Sequence, residues 1–432
     1  MKVTQLCLLN FRGVKELSVD FTQRTTAFVG VNGVGKSTIL DALAIALSQL
    51  IWRINGHAQK ARPIALDDIC HGTEFARIEV TAELNGNSLT WATVTNRKKG
   101  AHGDPLRKSD LDALNESVKA LSEQWVHAAS ETQAFHDRPL AVYYDVNRAV
   151  LDVPMRVREK LQHNASEIYQ DALDHGGADF KRFFIWFRNF EDAENEMRTD
   201  DPAFRDRGLE AARKAILTFT GFDGVRVRRK PKMRMTVSKG GDEFNVLQLS
   251  DGERNMLALV GDMARRLSVL NPNLTNPNEG AGVVMIDELD LHLHPRWQRE
   301  AVAKLEATFP NCQFVITTHS PQVVGELRPE SVMLLRGGHL LGHAPRALGL
   351  SSGEVLEELM EGDARNTGFK SEIVQVERAI EDEQYDQARQ ALAALRESFG
   401  ILPEVLRLEE SLEWFDPTEK VDPTSSGQED GE

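Results

Sequence analysis

Cysteine is scarce in this chain of 432 residues. The three cysteines, Cys7, Cys70 and Cys312, lie far apart in the sequence and form no Cys-x-x-Cys pair. Their number and spacing argue against a disulfide framework and against a zinc site built from thiolates. We expect all three to be small, buried, hydrophobic side chains.

Long apolar stretches are also missing. The sequence contains no uninterrupted apolar run of about 18 residues, the length that a membrane-spanning helix needs. The stretch from Met1 to Gly13 alternates like a strand and lacks the apolar core and the small-residue cleavage site of a signal peptide. We therefore expect a cytoplasmic protein without a membrane partner.

Basic side chains are outnumbered, with 51 against 66 acidic ones, so that the formal net charge is −15 at pH 7. This excess argues against affinity for nucleic acid over the whole surface, although a local basic face would escape the average. The remaining composition, 41% apolar and 27% charged, is ordinary for a globular protein, and the length allows two or three packed domains.

The order of predicted elements indicates an α/β fold. Strand-like stretches lead to a glycine-rich turn and then to a helix from Lys36 to about Leu50. An apolar strand follows at 282–286, and another at 313–317, which we expect to close the core. Between these parts, residues 110–220 have mostly helical periodicity, in a segment too short for a long coiled-coil arm.

The same patterns predict five regions along the chain. They are the first part of an α/β core at 1–100, a helical insertion at 101–222, the second part of the core at 223–345, a helical region at 346–415 and a disordered acidic tail at 416–432.

The stretch from Gly30 to Thr38 fits the phosphate-binding pattern G-x-x-x-x-G-K-[ST], with a strand before it and a helix after it. Glycines let the backbone wrap around a polyphosphate, and the helix N-terminus adds a favourable dipole. We predict that Lys36 reaches the β- and γ-phosphates and that the Ser37 hydroxyl ligates Mg²⁺. The other predicted nucleotide contacts are Gly30, Asn32, Gly33, Gly35 and Thr38. The sequence therefore predicts ATP or GTP binding.

Two carboxylates, Asp287 and Glu288, follow the apolar strand Gly282 to Ile286. At the end of a parallel strand beside the phosphate site, Asp287 would hold Mg²⁺ and Glu288 would act as general base on the attacking water. An acidic pair can also simply begin a loop, but together with the phosphate loop it predicts hydrolysis of the nucleotide.

A polar turn, Ser250-Asp-Gly-Glu253, precedes a further predicted helix. The free N–H groups of that helix and the Ser250 hydroxyl could form a second anion site, and the alternative is a capped helix with no further role.

The order of these motifs resembles that of the ATP-binding-cassette ATPases, and within them of the RecF, Rad50 and SMC branch. The order is phosphate loop, Leu-Ser-x-Gly-Glu signature, Asp-Glu pair and late histidine, and Leu9-Asn-Phe-Arg-Gly13 also looks like that branch. The resemblance implies a P-loop fold of the ABC-ATPase, RecF/Rad50 head-like type, and two ATPs held in a head-to-tail homodimer or a higher homo-oligomer. In such a dimer Ser250, Gly252 and Glu253 complete the site of the opposite subunit.

The resemblance also assigns two further residues. His319 matches the switch histidine that contacts the γ-phosphate, and Asp290 matches an aspartate that communicates between the two sites. The Q-loop departs from the pattern, because no glutamine stands clearly at the expected place and only Asp67 to Cys70 fills that region. How this chain senses Mg²⁺ is therefore open. A metal site of His292, His294 and His319 is disfavoured, because no carboxylate triad accompanies them.

The group that this chain looks most like is that of the stand-alone RecF-like ATPases of bacterial anti-phage systems, including the ATPase subunit of Septu and of related retrons. The likeness rests on the stretches from Gln248 to Asn255, from Asp287 to Pro295 and from Tyr143 to Arg148. It implies an ATPase that controls an effector nuclease supplied in trans, of HNH type in the family.

Two other functions stay open. The chain could be a RecF-like DNA-repair ATPase that acts directly on DNA. A basic strand could meet the phosphates of DNA or RNA, or could be only a solvated edge, and its residues are Arg226, Arg228, Arg229, Lys230, Lys232 and Arg234. The chain could also be the nucleotide-binding subunit of a membrane transporter, which the large helical insertion disfavours.

Overall fold

The computed structural model describes residues 1–56, 60–98, 104–132, 137–146, 165–174, 180–363 and 365–415. The contacts divide the chain into two units, Met1–Met360 and Glu361–Glu432, which are described separately below. The predicted disordered tail at 416–432 lies outside the described residues.

Strands occur in the first unit. They are β1 (Lys2–Phe11), β2 (Val14–Asp20), β3 (Thr25–Val29), β4 (Phe75–Leu84), β5 (Asn87–Asn96), β6 (Leu140–Tyr144), β7 (Asp223–Arg228), β8 (Arg234–Lys239), β9 (Asp242–Asn245), β10 (Gly282–Ile286), β11 (Cys312–Thr318), β12 (Val332–Arg336) and β13 (His339–His343).

The helices of the first unit are α1 (Lys36–Ile54), α2 (Asp112–Thr132), α3 (Ala165–Tyr169), α4 (Phe180–Asp200), α5 (Arg207–Thr220), α6 (Asp251–Leu270), α7 (Pro295–Thr308), α8 (Pro321–Val324) and α9 (Ser352–Leu359). Short 3-10 turns lie at Leu66–Asp68, Pro105–Arg107, Val246–Gln248, Pro277–Glu279 and Pro329–Ser331.

A six-stranded sheet forms the centre of the first unit, in the order β13-β12-β3-β11-β10-β6. All neighbours from β12 to β6 pair in parallel, and β13 alone pairs antiparallel with β12. Every residue of β3, β6, β10 and β11 is buried, which explains why these strands are mostly apolar and carry no charged side chain. The predicted α/β class with a parallel sheet is confirmed.

Two smaller antiparallel sheets accompany it, in the orders β2-β1-β4-β5 and β7-β8-β9. A buried glutamine connects the first of them to the central sheet: the Val3 amide donates to Gln313 Oε1 at 2.7 Å, and Gln313 Nε2 donates to the Val3 carbonyl at 2.9 Å. The side chain of Gln313, on β11, thus satisfies the backbone of β1 as a neighbouring strand would.

Three strands differ from the sequence expectation. β6 lies inside the stretch 110–220 that we expected to be mostly helical, and it is the edge of the central sheet next to β10. β11 is not the last strand of the core, because β12 and β13 follow it in the chain and extend the sheet on the far side of β3. The missed signal for the last two was the turn Gly337-Gly338 after an apolar run. The five-region division of the chain stays a prediction.

Helix α1 packs in the core, with buried residues along nearly its whole length. Among the described residues it is the one helix long and apolar enough to cross a membrane by those two criteria, and most of that stretch is buried inside the molecule, as in a core helix. Helix α4 approaches α6 closely, because a Cβ atom on Gly261 would lie 2.8–3.0 Å from the ring of Phe183.

In its described residues, the second unit has three helices, α10 (Thr367–Glu381), α11 (Tyr385–Phe399) and α12 (Pro403–Phe415). They share a small apolar core of Phe369, Val376, Ala388, Leu392, Leu395, Val405, Leu408 and Leu412. At its surface, Arg396 on α11 and Glu409 on α12 form an ion pair of 3.0 Å.

The contact between β10 and β6 leaves no room for a side chain at Gly282. A Cβ atom there would lie 2.4 Å from the Leu140 carbonyl oxygen and 2.6 Å from the Leu140 Cβ, so Gly282→Ala must push the two strands apart. We predict that calorimetry finds a thermal midpoint lowered by about 5 °C. Gly13→Ala is the control, since nothing lies within 4 Å of its added Cβ. Equal midpoints for the two variants would contradict the packing described.

Candidate functional site

The predicted phosphate loop connects the end of β3 to the start of α1. Gly33 and Gly35 have φ angles of +81° and +102°, in the left-handed region that favours glycine. A Cβ atom on Gly30 would lie 2.4 Å from the carbonyl oxygen of Leu335 on β12. These glycines are therefore required by the backbone path itself, and Gly35 directly precedes the helix N-terminus. Asn32 is exposed on the same loop.

Lys36 is the first residue of α1, and its side chain turns back over the loop. The ammonium donates to the carbonyl oxygens of Gly30 at 2.9 Å and of Val31 at 3.1 Å, and the side chain is buried. Burial lowers the pKa of Lys36 below its ordinary value, and the carboxylates of Asp287, Glu288 and Asp290 oppose this shift. The loop lysine and the strand-end acids thus lie within electrostatic reach of one another.

Ser37 is exposed, and Thr38 is half-buried at the first turn of α1. Asp287 is 3% exposed at the end of β10, where its amide donates to the carbonyl oxygen of Tyr144 at 2.9 Å. Mg²⁺ is held in nucleotide sites by one or two protein oxygens together with phosphates and waters. The Ser37 hydroxyl and the Asp287 carboxylate therefore fit such an ion.

Thr317, near the end of β11, contacts both residues of the acidic pair, and the sequence reasoning had not assigned it a role. The Thr317 hydroxyl donates to Asp287 Oδ1 at 2.5 Å and accepts from the Glu288 amide at 2.7 Å. The Thr317 carbonyl oxygen also accepts from the Leu289 amide at 3.0 Å. One buried side chain thus fixes both the carboxylate of Asp287 and the backbone that carries Glu288.

Glu288 itself has an unusual backbone, with a φ angle of +48°. Residues other than glycine are disfavoured in this left-handed region, and backbone strain of this kind concentrates at functional sites. The carbonyl oxygen of Glu288 accepts from the Leu291 amide at 2.9 Å, which holds the turn after β10. The strain is thus stabilised by hydrogen bonds on both sides of the residue.

Asp290 and His319 are in contact within the same chain. Asp290 Oδ1 accepts from the Thr318 hydroxyl at 2.6 Å and from the His319 amide at 3.2 Å. Burial and the Lys36 ammonium lower the pKa of His319, while the carboxylates of Asp290, Glu288 and Asp287 oppose the shift. Near neutral pH, His319 is therefore mainly the uncharged imidazole, which can still donate one N–H.

The predicted signature turn begins α6 as a capping box. The Ser250 hydroxyl accepts from the Glu253 amide at 3.4 Å, and the Ser250 amide donates to Glu253 Oε2 at 3.0 Å. Lys239 on β8 forms an ion pair with Glu253 at 2.5 Å, and it and the bonds to Ser250 lower the pKa of Glu253 although burial by itself would raise it. Ser250 is exposed.

Gly252 packs against the turn that follows Glu288 rather than against the phosphate loop. A Cβ atom on Gly252 would lie 2.4 Å from the carbonyl oxygen of His292. Across the part of the chain that the structure describes, no hydrogen bond or ion pair of Ser250 or Glu253 reaches residues 30–38. The structure thus brings the phosphate loop, the Asp-Glu pair and His319 together, and leaves the signature turn outside that cluster.

Arg12 holds the region from Asp67 to Cys70, where a Q-loop was expected, against α1. It is a second residue that the sequence reasoning did not single out. Its guanidinium forms ion pairs with Asp41 on α1 at 2.5 Å and with Asp68 at 2.8 Å. These acids raise the pKa of Arg12 although burial by itself would lower it. The signal was present in the stretch Leu9-Asn-Phe-Arg-Gly13, which was noted only as a family likeness.

The predicted basic strand is β7 with the turn into β8, and part of its charge is already paired. Arg228 forms an ion pair with Glu243 at 2.5 Å, and Arg229 forms ion pairs with Glu191 at 3.1 Å and with Asp192. Among the described residues, the remaining four basic side chains make no ion pair, and these are Arg226, Lys230, Lys232 and Arg234. The basic face is therefore smaller than the sequence suggested.

Among the described residues, His292, His294 and His319 do not form a metal-binding cluster. His294 caps α7, where its Nδ1 accepts from the Arg296 amide at 3.3 Å. In the described ranges, no group of three or more His, Cys, Asp or Glu side chains is placed to hold a metal ion.

A parallel sheet with a phosphate loop after one strand and an acidic pair after another is the arrangement of a P-loop ATPase. Residues 25–325 match the family described as "AAA domain, putative AbiEii toxin, Type IV TA system". The chain therefore belongs to this family, and it is an ATPase.

Three relatives show how far the similarity extends. The retron Ec83 probable ATPase of Escherichia coli is 30% identical over 97% of this chain and 89% of its own length. The retron Vc95 probable ATPase of Vibrio cholerae serotype O1 biovar El Tor is 30% identical over 78% of this chain and 73% of its own. The Septu protein PtuA of Bacillus mycoides (strain KBAB4) is 34% identical over 74% of this chain, but over only 38% of its own length.

Thr317 generates a test of the site geometry. Thr317→Val keeps the shape of the side chain and removes both hydrogen bonds, so we predict that the rate of ATP hydrolysis falls by about tenfold to a hundredfold. Thr317→Ser keeps the hydroxyl and should retain most of the rate. Steady-state phosphate release at saturating ATP measures both. A Val variant as active as the Ser variant would show that the hydroxyl does not orient the carboxylates.

Proposed function

We propose that two copies of this chain bind ATP between them, head to tail, and hydrolyse it to ADP and phosphate. One observation carries the proposal: the exposed Ser250 turn packs on the chain's own Asp290–Leu293 turn and, among the described residues, makes no hydrogen bond or ion pair with its own phosphate loop. A nucleotide on the phosphate loop of one copy can therefore be completed by the signature turn of another. The two-fold arrangement makes the two sites equivalent.

The described side chains support specific roles in this reaction. Lys36 and the amides at the start of α1 bind the phosphates, and Ser37 and Asp287 would hold Mg²⁺, which supplies neutralisation of phosphate charge when bound. Glu288 accepts a proton from the water that attacks the γ-phosphorus, and the bond to ADP breaks. His319, as an uncharged imidazole, donates an N–H to the γ-phosphate.

We propose further that the change between the ATP-bound dimer and the hydrolysed state controls an effector nuclease in anti-phage defence, in the cytoplasm. Support comes from the relatives, which are named as ATPases of retrons and as a protein of Septu. The HNH type of the effector rests on the family resemblance alone. In such a system this chain supplies the ATP-dependent control, and a second protein cuts the nucleic acid.

The proposed general base yields a direct test. Glu288→Gln keeps the size of the side chain and removes the proton acceptor, so we predict that it binds ATP, accumulates as a dimer and loses at least about a hundredfold in turnover. Sedimentation with and without ATP and Mg²⁺ measures the dimer. Glu326→Gln is the matched control, because Glu326 is an exposed partner of Arg299 and lies outside the site. Undiminished turnover of Glu288→Gln would remove the assignment.

The same variant can test the effector. When tagged Glu288→Gln is expressed with its native neighbouring genes and purified in ATP and Mg²⁺, a nuclease should be recovered in stoichiometric amount. A bare dimer that binds DNA would instead support the DNA-repair alternative.

The alternative of direct action on DNA depends on the basic strand, where ion pairs already engage Arg228 and Arg229. If DNA binds there, the triple variant Arg226→Gln, Lys232→Gln and Arg234→Gln should lower DNA-stimulated turnover and flatten the dependence of DNA binding on salt. Arg228→Gln, which removes a paired charge, is the control. Turnover that DNA does not stimulate would contradict this alternative.

A further inference from the structure

A fully buried polar network connects α6, the helix that begins at the signature turn, to the strand beside Asp287. At its centre is Asp262 in the middle of α6, with no exposed surface. Its Oδ1 accepts from Arg265 Nη2 at 2.7 Å, and its Oδ2 accepts from Arg266 Nε at 2.7 Å. The hydroxyl of Tyr144, the last residue of β6, donates to the same Oδ2 at 2.9 Å.

The protonation states in the network are well defined. Burial by itself would raise the pKa of Asp262, but Arg266 and Arg265 lower it below its ordinary value, so the group is a carboxylate. Burial and the neighbouring carboxylate raise the pKa of Tyr144, so its hydroxyl keeps its proton and acts as a donor. The hydrogen bond from Tyr144 to Asp262 is therefore charge-assisted.

Tyr144 also contacts the candidate site through its backbone. Its carbonyl oxygen accepts from the amide of Asp287 at 2.9 Å, beyond the paired end of β6 and β10. The side chain of Tyr144 thus contacts α6, while its backbone positions the residue proposed to hold Mg²⁺. Across the described residues this gives a continuous hydrogen-bonded connection from α6 to Asp287 through one residue.

Stability alone does not account for this arrangement. Buried ion pairs are costly to desolvate and are often replaceable by apolar side chains without loss of stability. Arg265 Nη1 is even buried without a hydrogen-bond partner among the described residues, which is a further cost. What such a network does provide is a fixed orientation of the elements that it joins, because its bonds are short and directional.

We propose that Tyr144 and Asp262 are positioning residues that couple the signature turn of a chain to the Asp287 carboxylate of the same chain. The inference rests on the proposed dimer. Ser250 contacts the nucleotide bound by the partner, and α6 extends about 18 Å from Ser250 to Asp262 at 1.5 Å per residue. A rigid α6 therefore transmits its position to Tyr144 and onward to the amide of Asp287.

Tyr144→Phe tests the coupling, because it removes one oxygen and leaves the ring and the backbone carbonyl in place. Tyr169→Phe is the matched control: Tyr169 is also buried, and its hydroxyl donates to the Pro139 carbonyl oxygen at 2.7 Å and, within the described ranges, makes no hydrogen bond to α6. Each change is made in the Glu288→Gln background, so that dimer formation is measured without turnover, and also alone.

We expect the ATP concentration for half-maximal dimer formation by Tyr144→Phe Glu288→Gln to rise about fivefold, the size of effect of one buried hydrogen bond, while Tyr169→Phe Glu288→Gln stays within about twofold of Glu288→Gln. Binding of a fluorescent ATP analogue to dilute monomer should be unchanged in both. As single variants, Tyr144→Phe should lower turnover at saturating ATP and Tyr169→Phe should not.

Equal dimer formation and equal turnover in the two tyrosine variants would overturn the coupling. A loss of analogue binding in the monomer would also overturn it, since Tyr144 would then shape the phosphate site itself. Failure of the proposed function has a different signature, because Glu288→Gln without a second substitution would then form no dimer with ATP, and the inference would fail with it.

Discussion

Parallel pairing of β3, β11 and β10 is the constraint on which the candidate site depends. Because the strands run in one direction and sit side by side, their carboxyl ends deliver the phosphate loop, His319 and the Asp287-Glu288 pair to one edge of the sheet. The Thr317 hydroxyl then connects the ends of β11 and β10, because it hydrogen-bonds to the Asp287 side chain and to the Glu288 amide. The same geometry places the buried Lys36 ammonium within electrostatic reach of the strand-end carboxylates. Their negative charge offsets part of the cost of burying it.

Much of this arrangement could be predicted from sequence, because the phosphate loop has fixed spacing and its flanking elements have clear periodicity. Strand β10 has the bounds that the apolar pattern indicated, and helix α1 begins at Lys36 as predicted. Strand β6 was missed, since its five residues lie between helical stretches and its partner β10 is far along the chain. The role of Thr317 was missed for a related reason: a hydrogen bond between two strand ends depends on register, which no local pattern records.

In the proposed dimer, the signature turn lets one chain hold parts of two sites. Gly252 packs on the His292 carbonyl, and Asp290 of the same turn holds the His319 amide, so the signature, the Asp290 turn and the histidine form a continuous surface within one chain. The Tyr144 and Asp262 network joins the middle of that helix to Asp287. A nucleotide bound by a partner would therefore act on elements that already contact the chain's own carboxylates, which is the physical basis for coupled sites in a symmetric dimer.

The most direct test of a site shared between two copies is complementation by mixing. Lys36→Ala removes the phosphate contact, and Ser250→Arg blocks the signature turn, so each variant alone should be inactive. In an equal mixture, half of the dimers contain one of each chain, and each of those has one intact site, so the account predicts restored turnover of up to about a quarter of the unmodified rate, with less where the two sites are coupled. A mixture no more active than its separate components would contradict the account, because a site contained within a single chain cannot be restored by a partner.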